Sequence, residues 1–284
     1  MAYTGSPQVT SVGLRWVRMA QRDTDGTPKI PSTVAAGVMY PGTQISAAQA
    51  LTITPPEPQR IPARGDDVRF YTFQLPPTEG PTGELRVAKE DHGVISLLTD
   101  TNQFGSPTLT KIGLATSKLG YEPSIMLWGM NEAIDSDIAS AYFGTQVWNT
   151  YLLLNSLAHA RPSSKEDSTI GLTTYNLILN DSTVDEFGHA FTDAVEGFTR
   201  SPWISATSRY KFWLECAMGD SSPVTAFELT HVPVTNGAIF VFVNNVQLIK
   251  GAGGGKFQIS GNDLSLGTGL GATDKVVVEY EWEE

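Results

Sequence analysis

Cysteine is nearly absent from this chain, and charge is sparse. A single cysteine, Cys216, in 284 residues excludes an internal disulfide framework and a cysteine-built metal cluster. Its expected role is that of a small apolar side chain at a strand end. Charged residues make up only 17% of the chain and leave a net charge of −11. That excludes a groove holding nucleic acid by phosphate neutralisation. Neither part of the chain is basic, since residues 225–284 carry −4 and the remainder −7. No apolar run approaches the ~20 residues needed to span a bilayer. The N-terminus MAYTGSPQVTSVG lacks a basic stretch followed by an apolar one, so no signal peptide is expected and synthesis belongs in a reducing cytoplasm.

Catalytic and metal signatures are equally sparse. His92, His159, His189 and His231 are scattered, with no HxH or HxxxH spacing and no cysteine nearby, which argues against a metal site. There is no GxSxG elbow. The run GAGGGK at Gly251–Lys256 is not a phosphate loop, because Lys250 and Phe257 stand where that motif needs Gly and Ser or Thr. Asp23-Thr24-Asp25-Gly26 opens like a calcium loop but has Val34 at loop position 12. Asp181 to Glu186 holds three acids and could take a cation, although a solvated loop is the default. No catalytic residue, cofactor or metal ligand is assigned.

What the chain does have is β-patterning. From Thr225 onward, short alternating runs are separated only by turns. Phe227 and Leu229 alternate with polar residues, Ala238–Val243 is a continuous apolar run, and Asn244-Asn245 suits a tight hairpin. Phe257 and Ile259 lead to a second turn at Gly261-Asn262. Val276, Val278, Tyr280 and Trp282 then share one face, opposite Lys275, Glu279 and Glu281. The linker Gly219-Asp220-Ser221-Ser222-Pro223 divides the chain into residues 1–222 and a module at 223–284.

In the larger part, Gln146–Arg161 is the longest strand signal, with Thr173–Asn180 as its antiparallel partner. Val68–Phe73 and Ser208–Leu214 are further strands, the last closing this domain. Val87 to Leu98 and Ala133 to Phe143 show helical spacing. Between roughly Asp23 and Ile61 lies a long stretch with Pro28, Pro31, Pro41, Pro55, Pro56 and Pro58, and Pro62 just beyond. It reads as a functional arm able to dock on a neighbour.

The motifs Val241-Phe242-Val243-Asn244, Ile259-Ser260-Gly261 and Asp274-Lys275-Val276-Val277-Val278-Glu279-Tyr280 resemble the small β-sandwich modules appended to structural proteins of tailed bacteriophages. Asn245 and Thr273 replace the glycines usual there. More loosely, "LRWVRMAQRD", "ELRVAKEDHGVISLLTD", "VWNTYLLLNSLAHARPSS" and "SRYKFWL" resemble the major tail (tail tube) proteins of long-tailed phages of the siphovirus type.

The resemblance implies a mainly β protein. A β-sandwich or barrel tail-tube domain would carry one flanking helix and a long N-terminal loop, followed by a small C-terminal β-sandwich of immunoglobulin-like size. It implies a virion component, not an enzyme. Subunits would form rings, expected to be hexameric, and the rings would stack into a tube that conducts DNA without binding it. The tape measure, tail tip and terminator would be partners, and no membrane would be involved. Asp66 and Asp67, just before the strand Val68–Phe73, are the candidate lumen acids. The rival readings are a tail-fibre, baseplate or head-decoration protein, or a carbohydrate-binding β module.

Overall fold

The computed structural model describes residues 14–56, 59–65, 68–75, 80–88, 94, 97, 102–104, 113–115, 123–135, 144–161, 173–191 and 200–283. The first strands are β1 (Arg15–Gln21), β2 (Thr43–Gln44), β3 (Ala48–Thr54), β4 (Gln59–Gly65), β5 (Val68–Leu75), β6 (Thr82–Val87), β7 (Asn102–Phe104) and β8 (Gly113–Ala115). Then come β9 (Ile125–Ile134), β10 (Gln146–Arg161), β11 (Thr173–Leu179), β12 (Trp203–Ser208) and β13 (Lys211–Met218). The last are β14 (Val224–Glu228), β15 (Ile239–Val243), β16 (Val246–Gln247), β17 (Ile249–Lys250), β18 (Lys256–Ser260), β19 (Asp263–Leu270) and β20 (Lys275–Trp282). The fold is mainly β, as the patterning requires.

Three sheets are stacked. The first runs β2-β1-β9-β10-β11-β6-β3, with β12 also on β10. The second runs β13-β20-β15-β16 and the third β14-β19-β18-β17. Alternation along the strands assigns each side chain to a layer. On the first sheet, Ile125, Leu127, Leu153, Tyr175 and Leu177 fill an inner core. The opposite face, with Ala20, Met126, Trp128, Leu152 and Leu154, meets Leu214, Cys216, Phe242 and Val277 of the second sheet. The second sheet's other face, with Trp213, Val241, Val276, Val278 and Tyr280, packs on Phe227, Phe257, Leu264 and Leu266 of the third. The second sheet is therefore covered on both sides.

This arrangement moves one strand. The sequence reading places Ser208–Leu214 at the close of the larger domain. Instead β13 pairs along its whole length with β20, from Lys211↔Trp282 to Met218↔Lys275. The Gly219–Pro223 linker thus runs between two sheets of the C-terminal sandwich. The turns behave as read. Asn244 (φ 48°) and Asn245 (φ 64°) form the two-residue loop between Val243 and Val246, the geometry that matches strand twist.

The long proline-bearing stretch is not structureless, which corrects the expected loop. It contains β2 and β3, and β3 pairs antiparallel with β6. Its middle docks on the chain itself. The Tyr40 N–H donates to the Cys216 carbonyl (2.7 Å), the Cys216 N–H donates back (3.0 Å), and the Gly37 N–H donates to Met218 O (2.8 Å). The strap thereby satisfies the β13 edge, which would otherwise present unpaired amides.

The expected flanking helix is also cut back. Val87 ends β6, opposite Thr173 and Ala48, because its side chain is needed in the sheet core. Val94 and Leu97 are helical, and residues 89–93, 95, 96 and 98 lie outside those described. Ala133 and Ile134 end β9, paired to Val147 and Gln146, and residues 136–143 lie outside those described.

Two ribbons stand apart from the three sheets. The hairpin β4–β5 joins 7 and 8 residues from Gln59↔Leu75 to Gly65↔Val68. The shorter β7–β8 pairs Asn102↔Ala115 to Phe104↔Gly113. Each pairs only within itself among the described strands.

Because β13 and the seam core both depend on β20, the C-terminal module is not a detachable satellite. Removing residues 224–284 strands β13 and exposes Leu214, Cys216 and the facing side of the first sheet. Each large apolar side chain re-exposed costs roughly 1.5–3 kcal/mol. The 1–223 fragment should be insoluble or lack a near-ultraviolet circular dichroism signal; a soluble fragment with a native-like spectrum would show that the first sheet closes alone.

Candidate functional site

The chemistry-bearing side chains of this fold gather along the seam between the first and second sheets. Three clusters stand there: an acid pair, an ammonium clamp and a tryptophan-lined cleft.

The acid pair is formed by the loop after β11 and by β20. Asp185 accepts the backbone N–H groups of Phe187 (2.9 Å) and His189 (2.8 Å), which closes a tight turn. That turn needs Gly188 at φ 79°, where a Cβ would lie 2.7 Å from the Asn245 side chain. Phe187 stacks on Phe242 at 4.0 Å, and His189 Nε2 donates to the Asn245 carbonyl (2.5 Å). The turn is thus pinned to the second sheet, and Glu186 is carried inward to 7% exposure. There its carboxyl group lies beside that of Glu279. Burial pushes both above the ordinary glutamate range, and for Glu279 the neighbouring Glu186, Asp185 and Glu281 add to it. Glu281 itself accepts from Ser208 Oγ and from the Ala238 N–H (2.8 Å).

The ammonium clamp explains the calcium-like opening of the 23–26 loop. Lys275 Nζ donates to Asp23 Oδ2 (2.9 Å) and Thr27 Oγ1 (2.7 Å) and lies 3.6 Å from Asp25. A lysine of β20 therefore occupies the place between the two aspartates. Desolvation raises the Asp23 carboxyl, but the Lys275 hydrogen bond, the Thr24 N–H and the charges of Lys275 and Lys29 together outweigh it, and the group sits below the usual range.

The cleft lies where β1, β10, β13 and β20 meet. It encloses about 420 Å³ between Arg15, Trp16, Thr145, Gln146, Trp148, Arg209, Tyr210, Lys211, Trp282 and Glu283. A bulge between Arg15 and Arg18 breaks the β1–β9 register and holds Trp16 at φ 50°. For a bulky side chain such a conformation costs about 1–3 kcal/mol and persists only where the surroundings over-determine it. Here the surroundings are aromatic. Trp16 stands edge-on to Trp148 (5.3 Å) and Trp282 (6.1 Å). The Lys211 ammonium lies 4.8, 5.4 and 4.5 Å from the rings of Trp16, Trp148 and Trp282, within cation–π range. His231 covers Trp282 in a parallel stack at 3.7 Å.

The residues singled out from the sequence are distributed as follows. Asp66 and Asp67 lie outside the described residues, between the paired Gly65 and Val68. Asp181 meets Arg200 at 3.5 Å while Asp185 and Glu186 turn inward, so that acidic run does not converge on one point. Among the described residues no group of three or more His, Cys, Asp or Glu is placed to hold a metal ion. Gly251–Lys256 is the connection between β17 and β18, tied by Gly251 N–H to Phe257 O (2.8 Å). Cys216 is fully buried, its Sγ 3.7 Å from the Tyr40 carbonyl, and burial raises its thiol to about 12, which leaves it unreactive. The cleft was missed. Its members come from positions 16, 148, 211 and 282, and alternation shows only which strand face each occupies.

The chain is 25% identical over 168 residues to an undecaprenyl-diphosphatase of Arthrobacter sp. (strain FB24), a match covering 59% of this chain and 51% of that protein. It is 24% identical over 168 residues to the undecaprenyl-diphosphatase of Paenarthrobacter aurescens (strain TC1), covering 59% and 53%. The chain thus spans about half the length of these curated relatives. Likeness at this level carries neither family nor activity across. No family model and no solved structure matches. Among the described residues no helix is long and apolar enough to cross a membrane.

Two outcomes follow from the seam. With Glu186 and Glu279 raised in the folded state, the stability they permit is present below the ordinary glutamate range and is lost as pH rises through the folded-state values. The Glu279→Gln variant, whose amide can donate to Glu186, should melt a few degrees higher than the parent at pH 8 and show a flatter pH profile in thermal denaturation. At the clamp, Lys275→Met removes two charge-assisted hydrogen bonds and leaves two aspartates side by side. Denaturant titration should register a loss of about 2 kcal/mol.

Proposed function

We propose that this chain is a structural, non-enzymatic subunit that self-assembles into the tail tube of a long-tailed bacteriophage. The observation that carries the reading is the β4–β5 ribbon. A lone two-stranded hairpin is marginal in water, and this one pairs with no other described strand. At ~3.3 Å per residue its strands reach ~25 Å. A ribbon of that length becomes stable when another subunit supplies the missing sheet, and its open edges offer backbone amides and carbonyls for that pairing. The phage resemblance of the strand motifs supports the same reading.

Under it, subunits close rings through strand edges and the rings stack into a tube. The net charge of −11 suits a bore that repels DNA phosphates, with Asp66 and Asp67, which follow Gly65 in the sequence, as the lumen acids. Tape measure, tail tip and terminator proteins are the partners. The Pro-bearing strap is committed to its own β13 edge, so the ribbon rather than that strap makes the contacts between rings.

Analytical ultracentrifugation and negative-stain imaging test this on the full chain, beside a variant with residues 59–75 replaced by a short Gly-Ser loop. The parent should form rings or tubes, alone or with its tip and terminator partners, and the variant should stay monomeric with a melting temperature close to the parent's. A parent that remains monomeric under all those conditions overturns the proposal. A variant that assembles like the parent removes the ribbon from it.

A further inference from the structure

The second and third sheets end on one stretch of chain. β16 (Val246–Gln247) is the last strand of the second sheet and β17 (Ile249–Lys250) the last of the third. Leu248 is the crossing point between them, its N–H donating to the Val241 carbonyl (2.8 Å). Residues 246–250 therefore form a common edge for both layers of the C-terminal sandwich. The far end of the second sheet is closed, because the strap pairs Tyr40 with Cys216 of β13. At residues 246–250 no described strand pairs along the outside. Edges built to stay solitary carry charge, proline or a bulge. This one carries apolar side chains: Val246 is 63% exposed, Ile249 71%, and Phe240 of the neighbouring β15 39%.

The edge also has a sign. Residues 231–262 contain Lys250 and Lys256 and no acidic residue, in a chain of net −11. Both lysines are exposed, and neither belongs to an ion pair among the described residues. The way past Lys250 is clear as well. The 251–255 loop returns the chain into β18, parallel to β17, and a Cβ at Gly253 or Gly255 would meet nothing within 4 Å. The glycine run that resembles a phosphate loop thus keeps side chains away from the end of the edge.

We propose that residues 246–250 accept, as an added strand, an extended segment of a partner protein in which apolar and acidic residues alternate. At ~3.3 Å per residue the edge offers ~16 Å of backbone for pairing. Main-chain hydrogen bonds hold the incoming strand, and its side chains select it. Its apolar residues cover Val246, Ile249 and Phe240, and its carboxylates reach Lys250 and Lys256. A second copy of this edge is the poorer occupant, because it brings the same two cations and no acid. The site is complete within one chain and does not rest on the assembly reading.

Short labelled peptides test it on the full chain, one alternating valine with glutamate, one alternating valine with lysine, and the glutamate peptide with alternate backbone nitrogens methylated. Fluorescence anisotropy gives the affinity and hydrogen–deuterium exchange the location. The glutamate peptide should slow amide exchange at residues 246–250. It should bind at least about fivefold tighter than the lysine peptide, the worth of two exposed ion pairs. That preference should fade at about 1 M salt, and backbone methylation should abolish the protection. Lys250→Glu combined with Lys256→Glu, both at exposed positions, should reverse the order of the two peptides and leave the melting temperature unchanged. The proposal is overturned by equal affinities, by an order that the double variant does not reverse, or by no protection at 246–250 with about 1 mM glutamate peptide. Self-association of the peptide-free chain that protects 246–250 overturns it too, since a second copy would then be the occupant.

Discussion

The structure depends on one strand that is buried on both faces. Along β20, Val276, Val278, Tyr280 and Trp282 enter the core shared with the third sheet. Val277 enters the core shared with the first sheet, and Glu279 meets Glu186 on that same side. Since successive side chains of a strand point to opposite faces, a single eight-residue segment contributes to two cores at once. The second sheet is the common wall of two sandwiches, and neither can lose it and remain closed. For that reason the connection between residues 218 and 224 is a turn within one body, although its composition is that of a linker.

Apolar burial alone does not specify how two sheets lie on one another, because it is non-directional. The polar groups at the seam supply direction. Arg18 of β1 donates to the Gly42 carbonyl (3.0 Å) and lies 4.4 Å over the Trp213 ring of β13. Glu215, buried beneath, accepts from Tyr280 Oη (2.9 Å), Thr230 N–H (3.1 Å) and Thr230 Oγ1 (2.6 Å). Lys275 reaches the 23–27 loop, and Glu281 holds the end of β12. Each of these joins β13 or β20 to a segment distant in sequence and has one geometry that satisfies it. Buried charges of this kind add little net stability, since desolvation offsets most of the attraction. What they exclude is a slipped or rotated packing in which a carboxylate or guanidinium would be buried without its partner.

The strands were legible in the sequence because alternation is a local signal. Gln146–Arg161, Thr173 to Leu179, Val68 onward and the segments from Phe227 to Trp282 stand where the period-2 pattern places them, and Asn244-Asn245 turns as its tolerance of positive φ demands. Sheet membership was not legible. Nothing within Lys211–Met218 distinguishes a strand that pairs backward with Leu152 from one that pairs forward with Val278; a polar Gly-Asp-Ser-Ser-Pro run afterward favours the wrong choice. Val87 illustrates the converse error. Its spacing to Val94 fits a helix face, yet both residues reach the same core from a strand end and a helical turn. Glu186 and Glu279 read as solvated charges because carboxylates rarely tolerate burial. Only the third dimension shows that the two are buried side by side.

The second sheet is covered on both faces, whereas the hairpins β4–β5 and β7–β8 pair with no other described strand. That contrast bears on how such a subunit would assemble under the proposed function. A ribbon that pairs only within itself among the described strands gains little from ordering in the free chain, because each fixed residue costs about 1–2 kcal/mol of backbone entropy. Contact with a second subunit must meet that cost, so isolated encounters are weak. Once a first ring presents a continuous row of strand edges, every later ribbon finds its partners already arranged, and the ordering cost is met by pairing on both edges instead of one. Growth then proceeds readily from an existing ring and poorly from free subunits. Under the proposed function, a ribbon that is marginal in the monomer would confine polymerisation to a site where assembly has already begun.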